Sequence, residues 1–207
     1  MGIMIATPMR GRSANGDYVV GLMQCNGLHD GWMPMFGQSD IYIARNTLIN
    51  QFYKTEHKTL VFIDSDIGFT RQNLIDLIYS PPEFVSGLYP AKGTEPEWVF
   101  RDEHMGIVPF DKVPSCGLLT AGLLGCGFLK IDRAVLDKIV DKGLATPYGV
   151  EAHAKSGSPP NYQFFNGRVY KDNLLSEDYS FSVMAREAGV QPYVNCSIRL
   201  THDGRTK

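Results

Sequence analysis

The sequence predicts an α/β protein with a mainly parallel central sheet and helices on both faces. Short apolar runs rich in β-branched and aromatic residues alternate along the chain with segments of helical periodicity. Such alternation is typical of successive β-α-β units, whose strands run parallel. The run Leu60-Val61-Phe62-Ile63 is apolar throughout, as expected of a strand covered on both faces.

The first half of the chain alternates strands with helices. The predicted elements are a strand over residues 2–6, a polar loop over 7–16, a helix over about 18–26, a strand within 28–36, and a helix from Ser39 or Asp40 to about Tyr53. The first helix is predicted to pack on the sheet through Val19, Val20, Leu22 and Met23. In the second helix Arg45 lies off the apolar stripe, where it either reaches a nucleotide or belongs to a solvated or salt-bridged helix face.

The second half continues the alternation but contains two long irregular stretches. The predicted elements are a strand over 59–64, a helix capped by Thr70, a strand over 84–89, a loop with short edge strands over 91–114, a small apolar segment over 118–129, a helix over 132–142, a loop over 145–171, a helix over 177–188, and strands near 193 and 198–201. The loop over 145–171 mixes glycine with aromatic residues. We interpret it as an acceptor-binding loop, with plain surface coil as the alternative.

Size and composition indicate one domain. The 207 residues, 43% of them hydrophobic, are enough for a single α/β core, and we predict one domain over residues 1–207. A formal net charge of −2 provides no general attraction to nucleic acid and argues against that partner without excluding it. No apolar run approaches the roughly 18 residues that a membrane span requires.

The cysteines and the N-terminal residues bear on the cellular compartment. The four cysteines are scattered and lack a CxxC spacing, which predicts free thiols in a reducing compartment. The N-terminal segment lacks the basic stretch, apolar core and cleavage site of a secretory signal. Together these features predict a cytoplasmic protein.

Two acids, Asp64 and Asp66, stand directly after the central predicted strand. Burying carboxylates is costly without a partner, and in open α/β sheets ligands bind outside the carboxyl ends of the strands. A divalent cation that bridges to a phosphorylated ligand is a suitable partner. The sequence therefore suggests a metal-dependent enzyme acting on a nucleotide-linked substrate, and the alternative is a capped turn built from Asp and Ser.

Three short motifs follow one another along the chain: Asp64-Ser65-Asp66 after the central strand, Glu177-Asp178 at a helix start, and His202 after a final strand. This order resembles the GT-A glycosyltransferases, which have a Rossmann-like fold, and in particular the small family 2 type of bacteria, phages and large viruses. The resemblance also includes Ile5-Ala6-Thr7-Pro8-Met9, Ala44-Arg45-Asn46 and Gly87-Leu88-Tyr89-Pro90. It implies transfer of a sugar from a nucleotide-sugar, with UDP expected, to a hydroxyl of a glycan or another acceptor.

The resemblance also implies roles for the acids and the histidine. Asp66 would be the principal ligand of a Mn²⁺ or Mg²⁺ ion, Asp64 would contact that ion through water or the ribose directly, and His202 would be the third protein contact. Asp178 matches the general base of a single in-line displacement with inversion, and Glu177 would cap the helix or orient a neighbour. The alternatives are an acid that complements the helix dipole at Asp178 and an ordinary strand-end histidine at His202.

Further donor contacts follow from the same resemblance. Thr7, Pro8 and Arg45 would lie near the nucleotide base, Ser65 beside the donor, and Lys92 and Arg205 near its phosphates or sugar. The domain would divide into a nucleotide-binding half over about 1–90 and an acceptor half over about 91–207.

Three other functions compete with glycosyl transfer. A haloacid-dehalogenase-like phosphatase would have Thr or Val in place of Gly68 and its acid pair near the N-terminus. A nucleotidyltransferase that makes an activated sugar shares the sheet and the metal chemistry, but Gly11-Arg12-Ser13 matches its glycine-rich signature poorly. A non-catalytic carbohydrate or nucleotide-sugar binding module would bind sugar independently of metal.

Overall fold

A computed structural model describes residues 2–92, 97–151 and 159–202 of the chain. The strands in these residues are β1 (Ile3–Met9), β2 (Gly31–Phe36), β3 (Thr59–Ile63), β4 (Ile67–Gly68), β5 (Phe84–Leu88), β6 (Phe100–Arg101), β7 (Leu118–Thr120), β8 (Leu123–Leu124), β9 (Phe128–Asp132), β10 (Thr146–Tyr148), β11 (Asn161–Gln163), β12 (Arg168–Tyr170), β13 (Asn173–Leu175), β14 (Tyr193–Arg199) and β15 (Thr201–His202). The α-helices whose bounds lie within these residues are α1 (Gly16–Gln24), α2 (Ile41–Tyr53), α3 (Arg71–Ile78), α4 (Arg133–Asp141) and α5 (Glu177–Glu187).

Seven strands form the central sheet, in the order β2-β1-β3-β9-β5-β14-β7. β2, β1, β3, β5 and β14 share one direction, which confirms the predicted mainly parallel sheet. β9 runs antiparallel between β3 and β5, and β7 runs antiparallel at one edge. The small apolar segment over 118–129 contains the edge strand β7 and leads into the central strand β9.

The helices cover both faces of the sheet, as predicted. Along β3 the side chains alternate: Leu60 and Phe62 face a core shared with α2, α4 and α5, whereas Val61 and Ile63 face a core shared with α1 and α3. All four side chains are fully buried. This double burial explains why the strand is apolar throughout, and it places the residue after Ile63 at the carboxyl edge of the sheet.

The buried face of α1 differs from the prediction. Leu22 packs against the core as predicted, but Val19, Val20 and Met23 are exposed, and Tyr18 and Gly21 are buried in their place. A Cβ atom on Gly21 would lie 2.5 Å from the carbonyl oxygen of Phe69. The helix therefore approaches the β4 region through its smallest residue, which a count of apolar positions does not reveal.

The first strand is longer than predicted, because β1 continues to Met9 instead of ending before Thr7. Thr7, Pro8 and Met9 pair with β2 on one side, whereas the pairing of β1 with β3 ends at Ala6. Pro8 lacks a backbone N–H, and with a single neighbouring strand at this point that loss is tolerated. Thr7 and Pro8 thus belong to the sheet rather than to the loop that follows it.

The two irregular stretches are only partly described. The loop over 145–171 contains the hairpin β10–β11 and the strand β12, which pairs with β13, and residues 152–158 lie outside the described residues. All four cysteines are described and each is a free thiol, exposed at Cys116 and buried at the other three. Over the described ranges, no helix combines the length and apolar character needed to cross a membrane.

Candidate active site

The acid pair lies in a tight turn at the end of β3. The Asp64 N–H donates to the Gly127 carbonyl at 2.9 Å, and the Ile67 N–H donates to the Asp64 carbonyl at 3.1 Å. The Ser65 carbonyl accepts from the Asn15 N–H at 2.8 Å, which ties the turn to the start of α1. These bonds hold the carboxylates of Asp64 and Asp66 at the carboxyl edge of the sheet.

A two-stranded sheet brings His202 to this turn. β4 follows the turn directly and pairs antiparallel with β15, with His202 opposite Ile67. The His202 Nδ1–H donates to the Pro90 carbonyl at 2.7 Å, and Nε2 lies 3.7 Å from Asp66 Oδ1. The backbone bond directs Nε2 towards the acid, an arrangement that suits either an ion pair or a metal ligand.

Asp66 is surrounded by positive charge and has an oxygen with an unused hydrogen-bonding capacity. Its Oδ2 accepts from the Lys92 ammonium group. Its Oδ1 is buried and has no hydrogen-bond partner among the described residues, since 3.7 Å to His202 is too long for one. Burial alone would raise the pKa of Asp66, but the contacts with His202 and Lys92 hold it well below its usual range.

Arg45, from α2, pairs with Asp64, the first acid of the turn, and is only 4% exposed. Its Nη2 donates to Asp64 Oδ2 at 2.9 Å and to Oδ1 at 3.2 Å, and its Nη1 donates to Glu177 Oε1. Burial would lower the pKa of Arg45, but the nearby carboxylates, Asp64 first, hold it well above its usual value. At Asp64 and Glu177, burial raises the pKa and the positive charge of Arg45 lowers it. The effect of burial is the larger one, so both pKa values are raised.

The flank of α2 that carries Arg45 is covered by the chain around β11. Asn46 Nδ2 donates to the Phe165 carbonyl at 2.6 Å, and its Oδ1 accepts from the N–H groups of Phe164 and Phe165. Asn50 binds both the N–H and the carbonyl of Tyr162, at 2.7 and 2.8 Å. This flank of α2 is therefore not solvated, because the backbone of a distant segment pairs with the polar side chains beside Arg45. The salt-bridged form of that alternative is the one observed, since Arg45 pairs with Asp64 and Glu177.

The start of α5 supplies two acids with different partners. Glu177 forms an ion pair with Arg45. Asp178 Oδ1 accepts from the Ser176 hydroxyl and from the Tyr179 N–H, the latter at 2.8 Å. Asp178 also contributes to the raised pKa of Asp64 and of Cys126, so its charge acts on the same cluster.

Tyr89 links the glycine-rich turn to His202; it belongs to the stretch Gly87-Leu88-Tyr89-Pro90 noted in the sequence but was given no role there. Its Oη accepts from the Gly127 N–H at 2.8 Å, and its ring meets the His202 ring edge-on, with centroids 5.6 Å apart. A Cβ atom on Gly125 would lie 2.3 Å from the Tyr89 Oη. The position of Tyr89 at the carboxyl end of a predicted strand is the signal in the sequence that could have indicated a role. The closeness of the Tyr89 side chain also explains why glycines stand on both sides of Cys126.

Two further predicted donor contacts, Thr7 and Pro8, are buried within the sheet. Thr7 is fully buried, and its hydroxyl shares a hydrogen bond with the Tyr18 hydroxyl at 2.7 Å and accepts from Trp32 Nε1 at 3.0 Å. Pro8 is buried beside it in β1. Trp32, whose Nε1–H donates to the Thr7 hydroxyl, is partly exposed, unlike Thr7 and Pro8. Arg205 lies outside the described residues.

The His202–Asp66 pair predicts a pH dependence of stability. Burial alone would lower the pKa of His202, but Asp66 and the Pro90 carbonyl outweigh it and raise that pKa above 6.5. A raised histidine pKa stabilises the fold fully below its ordinary value, and the contribution is lost as the pH rises through the raised one. In chelator-treated protein we expect the free energy of unfolding to fall over this range and His202→Gln to flatten the fall. Urea denaturation at a series of pH values is the measurement, and an unchanged slope in His202→Gln would contradict the assignment.

Comparisons with known proteins bear on the fold. No protein-family model and no curated protein match the chain. Among solved structures it is similar to A197 from STIV, with 15% identity and a TM-score of 0.59 over 98% of this chain and 85% of that one. At this identity the likeness shows a shared fold alone.

A second solved structure aligns more weakly. It is a glycosyltransferase involved in the glycosylation of the major capsid of PBCV-1, with a TM-score of 0.34, 10% identity, and coverage of 65% of this chain and 61% of that one. A TM-score this low carries no argument about this chain. The inference about function therefore depends on the site itself.

Proposed function

We propose that this chain transfers a sugar from a nucleotide-sugar, expected to be a UDP-sugar, to an acceptor hydroxyl. One observation carries the proposal: the buried Asp66 Oδ1, without a hydrogen-bond partner in the described part of the chain, faces His202 Nε2 at the carboxyl edge of the sheet. That edge is where α/β sheets bind phosphorylated ligands. Lys92, on Asp66, and Arg45, on Asp64, add the positive charge that a diphosphate requires.

Asp66 and His202 fit a divalent cation. A carboxylate oxygen and an imidazole nitrogen together suit Mn²⁺, whereas Mg²⁺ prefers oxygen ligands alone. No group of three His, Cys, Asp or Glu side chains is placed to hold a metal within the described ranges. In the proposal these two residues would hold the ion, and Asp64, bound by Arg45, would contribute through water. The bound ion would offset the charge that develops on the leaving diphosphate.

The other residues bind, orient and move a proton. Lys92 would release Asp66 and bind the donor phosphates, and Arg45 with Ser65 would lie on the nucleotide side of the site. Thr7 and Pro8, which are buried in β1, would support that side from behind without touching the donor. Asp178 would take the proton from the acceptor hydroxyl through Oδ2, since Oδ1 already accepts two hydrogen bonds. This arrangement corresponds to an inverting displacement with the nucleotide half over about 1–90 and the acceptor half over about 91–207. We place the enzyme in the cytoplasm on the basis of its cysteines.

Removal of the Asp66 carboxylate tests the donor site. We expect Asp66→Ala to lose the binding of UDP that depends on Mn²⁺, because both the ligand oxygen and the partner of Lys92 are removed. Isothermal titration calorimetry with UDP and Mn²⁺ measures this, and Asp76→Ala on α3 is the matched control, expected to bind as the wild type does. Unchanged UDP binding by Asp66→Ala would contradict the assignment.

A turnover assay tests the reaction itself. The protein is incubated with UDP-, GDP- and dTDP-sugars and Mn²⁺, with and without chelator. Release of a nucleoside diphosphate that requires metal supports glycosyl transfer. In parallel incubations, release of pyrophosphate from a nucleoside triphosphate and a sugar 1-phosphate would indicate a nucleotidyltransferase, and release of phosphate from sugar phosphates would indicate a phosphatase. Sugar binding that is indifferent to metal and occurs without turnover would indicate a binding module. Each of these results would overturn the proposal.

A further inference from the structure

We propose that a groove between α2 and the hairpin β10–β11 binds an uncharged saccharide. The groove has a volume of about 330 Å³, within the usual range for small-molecule sites. It is lined by side chains of Tyr42, Ile43, Thr47, Thr146, Tyr148 and Gln163, with Asn46 behind them. None of these residues has an assigned role in the site around Asp66.

Two tyrosines form the aromatic part of the groove. Tyr42 comes from the first turn of α2 and is 44% exposed, and Tyr148 comes from the end of β10 and is 42% exposed. Tyrosine has an apolar ring face and a polar hydroxyl, so it packs on the C–H faces of a sugar and also bonds to its hydroxyls. Two such rings from distant parts of the chain form one recognition surface.

The polar side chains in the groove have hydrogen-bonding capacity to spare. The side chains of Thr47, Thr146 and Gln163 form no hydrogen bond with any residue that the structure describes. Each of these groups both donates and accepts, as sugar hydroxyls do. A neutral ligand rich in hydroxyl groups matches them better than an aliphatic one, which would leave them unpaired.

The absence of charge separates this groove from the donor site. Among the described residues that line it, none is acidic or basic, whereas the cluster around Asp64 contains Arg45, Lys92 and several carboxylates. A nucleotide or a sugar phosphate needs cationic partners. The groove therefore favours an uncharged saccharide over the activated donor.

The groove adjoins the candidate active site through α2. Asn46 forms its back wall and is held by the backbone of Phe164 and Phe165, and it directly follows Arg45. The groove and the charged cluster thus share one turn of the helix. In a sugar-transferring enzyme the groove would hold the acceptor glycan, and this last step alone depends on the proposed function.

Saccharide binding without donor or metal tests the groove. Maltotriose, cellotriose, mannotriose and N,N′,N″-triacetylchitotriose, all uncharged, are titrated into the full chain and followed by saturation-transfer difference NMR. We expect binding of at least one, weakened about tenfold or more in Tyr42→Ala and in Tyr148→Ala and largely retained in Tyr42→Phe and Tyr148→Phe, which keep the ring. Tyr79→Ala, at an exposed tyrosine after α3, is the matched control and should bind as the wild type does. Thermal melting of each variant checks that it is folded.

The possible outcomes separate the two proposals. No binding of any of the four sugars at millimolar concentration, or binding that both alanine variants leave intact, overturns the groove. Saccharide binding lost in these variants without any release of nucleoside diphosphate in the turnover assay supports the groove and counts against glycosyl transfer. Metal-dependent transfer in a protein whose groove binds no sugar leaves the proposed function standing and removes this inference.

Discussion

We expect Arg45→Ala to lower the free energy of unfolding by about 3–5 kcal/mol, the range for breaking a buried ion pair by removing one partner. Arg45 is almost fully buried and pairs with both Asp64 and Glu177, whose side chains are 25% and 15% exposed. Alanine would leave both carboxylates with little water and no cation. Urea denaturation at neutral pH, compared with the wild type, measures the loss.

Two further measurements distinguish a buried pair from a general effect of losing an arginine. Arg168→Ala is the matched control, because Arg168 pairs with Glu187 at the surface and its removal should cost no more than about 1 kcal/mol. In Arg45→Ala the deficit should shrink at mildly acidic pH, since uncompensated carboxyls have raised pKa values and their protonated forms tolerate burial. A loss as small as that of Arg168→Ala would show that solvent replaces the guanidinium.

We expect Asp178→Asn to reduce the rate of sugar transfer by about 10²–10⁴-fold, the usual contribution of a general base. An asparagine oxygen still accepts the bonds from Ser176 and the Tyr179 N–H, so the start of α5 should keep its structure. Donor binding should remain nearly intact, because Asp66, His202 and Lys92 are unchanged. Turnover with acceptor, together with calorimetry for UDP and Mn²⁺, separates the two effects.

Asp172→Asn is the control for this exchange. Asp172 lies between β12 and β13 with φ 63°, a left-handed conformation that asparagine also adopts readily, so transfer should be unaffected. Full activity of Asp178→Asn would show that Asp178 only complements the dipole at the start of α5.

Much of the fold could be predicted because its signals are local. The apolar run of β3, the Thr70 cap of α3 and the periodic faces of α4 and α5 lie within a few residues of sequence, and each element occurs close to its predicted position. The direction of β9 and the buried face of α1 were not predictable in this way. Both depend on contacts with distant residues, namely the two strands beside β9 and the carbonyl of Phe69 beneath Gly21.

In the candidate site, too, the sequence indicated which residues matter, but the contacts between them were visible only in the structure. The order of Asp64, Asp66, Asp178 and His202 along the chain drew attention to these residues, and the structure places them in one region. Their pairing was not visible: Glu177 binds Arg45, Lys92 binds Asp66, and Tyr89 supports both the Gly127 turn and the ring of His202. Such pairs join positions far apart in sequence, and no spacing rule encodes them.

The sequence by itself determined the α/β class, the position of the strand that ends at Asp64, and the residue types available for the chemistry. Only the tertiary structure decided that Arg45 is a buried ion-pair partner rather than a solvated helix residue, and that Thr7 and Pro8 lie within the sheet. The physical reason is that strand and helix periodicity come from neighbouring residues, whereas burial and charge pairing depend on which distant segments pack together.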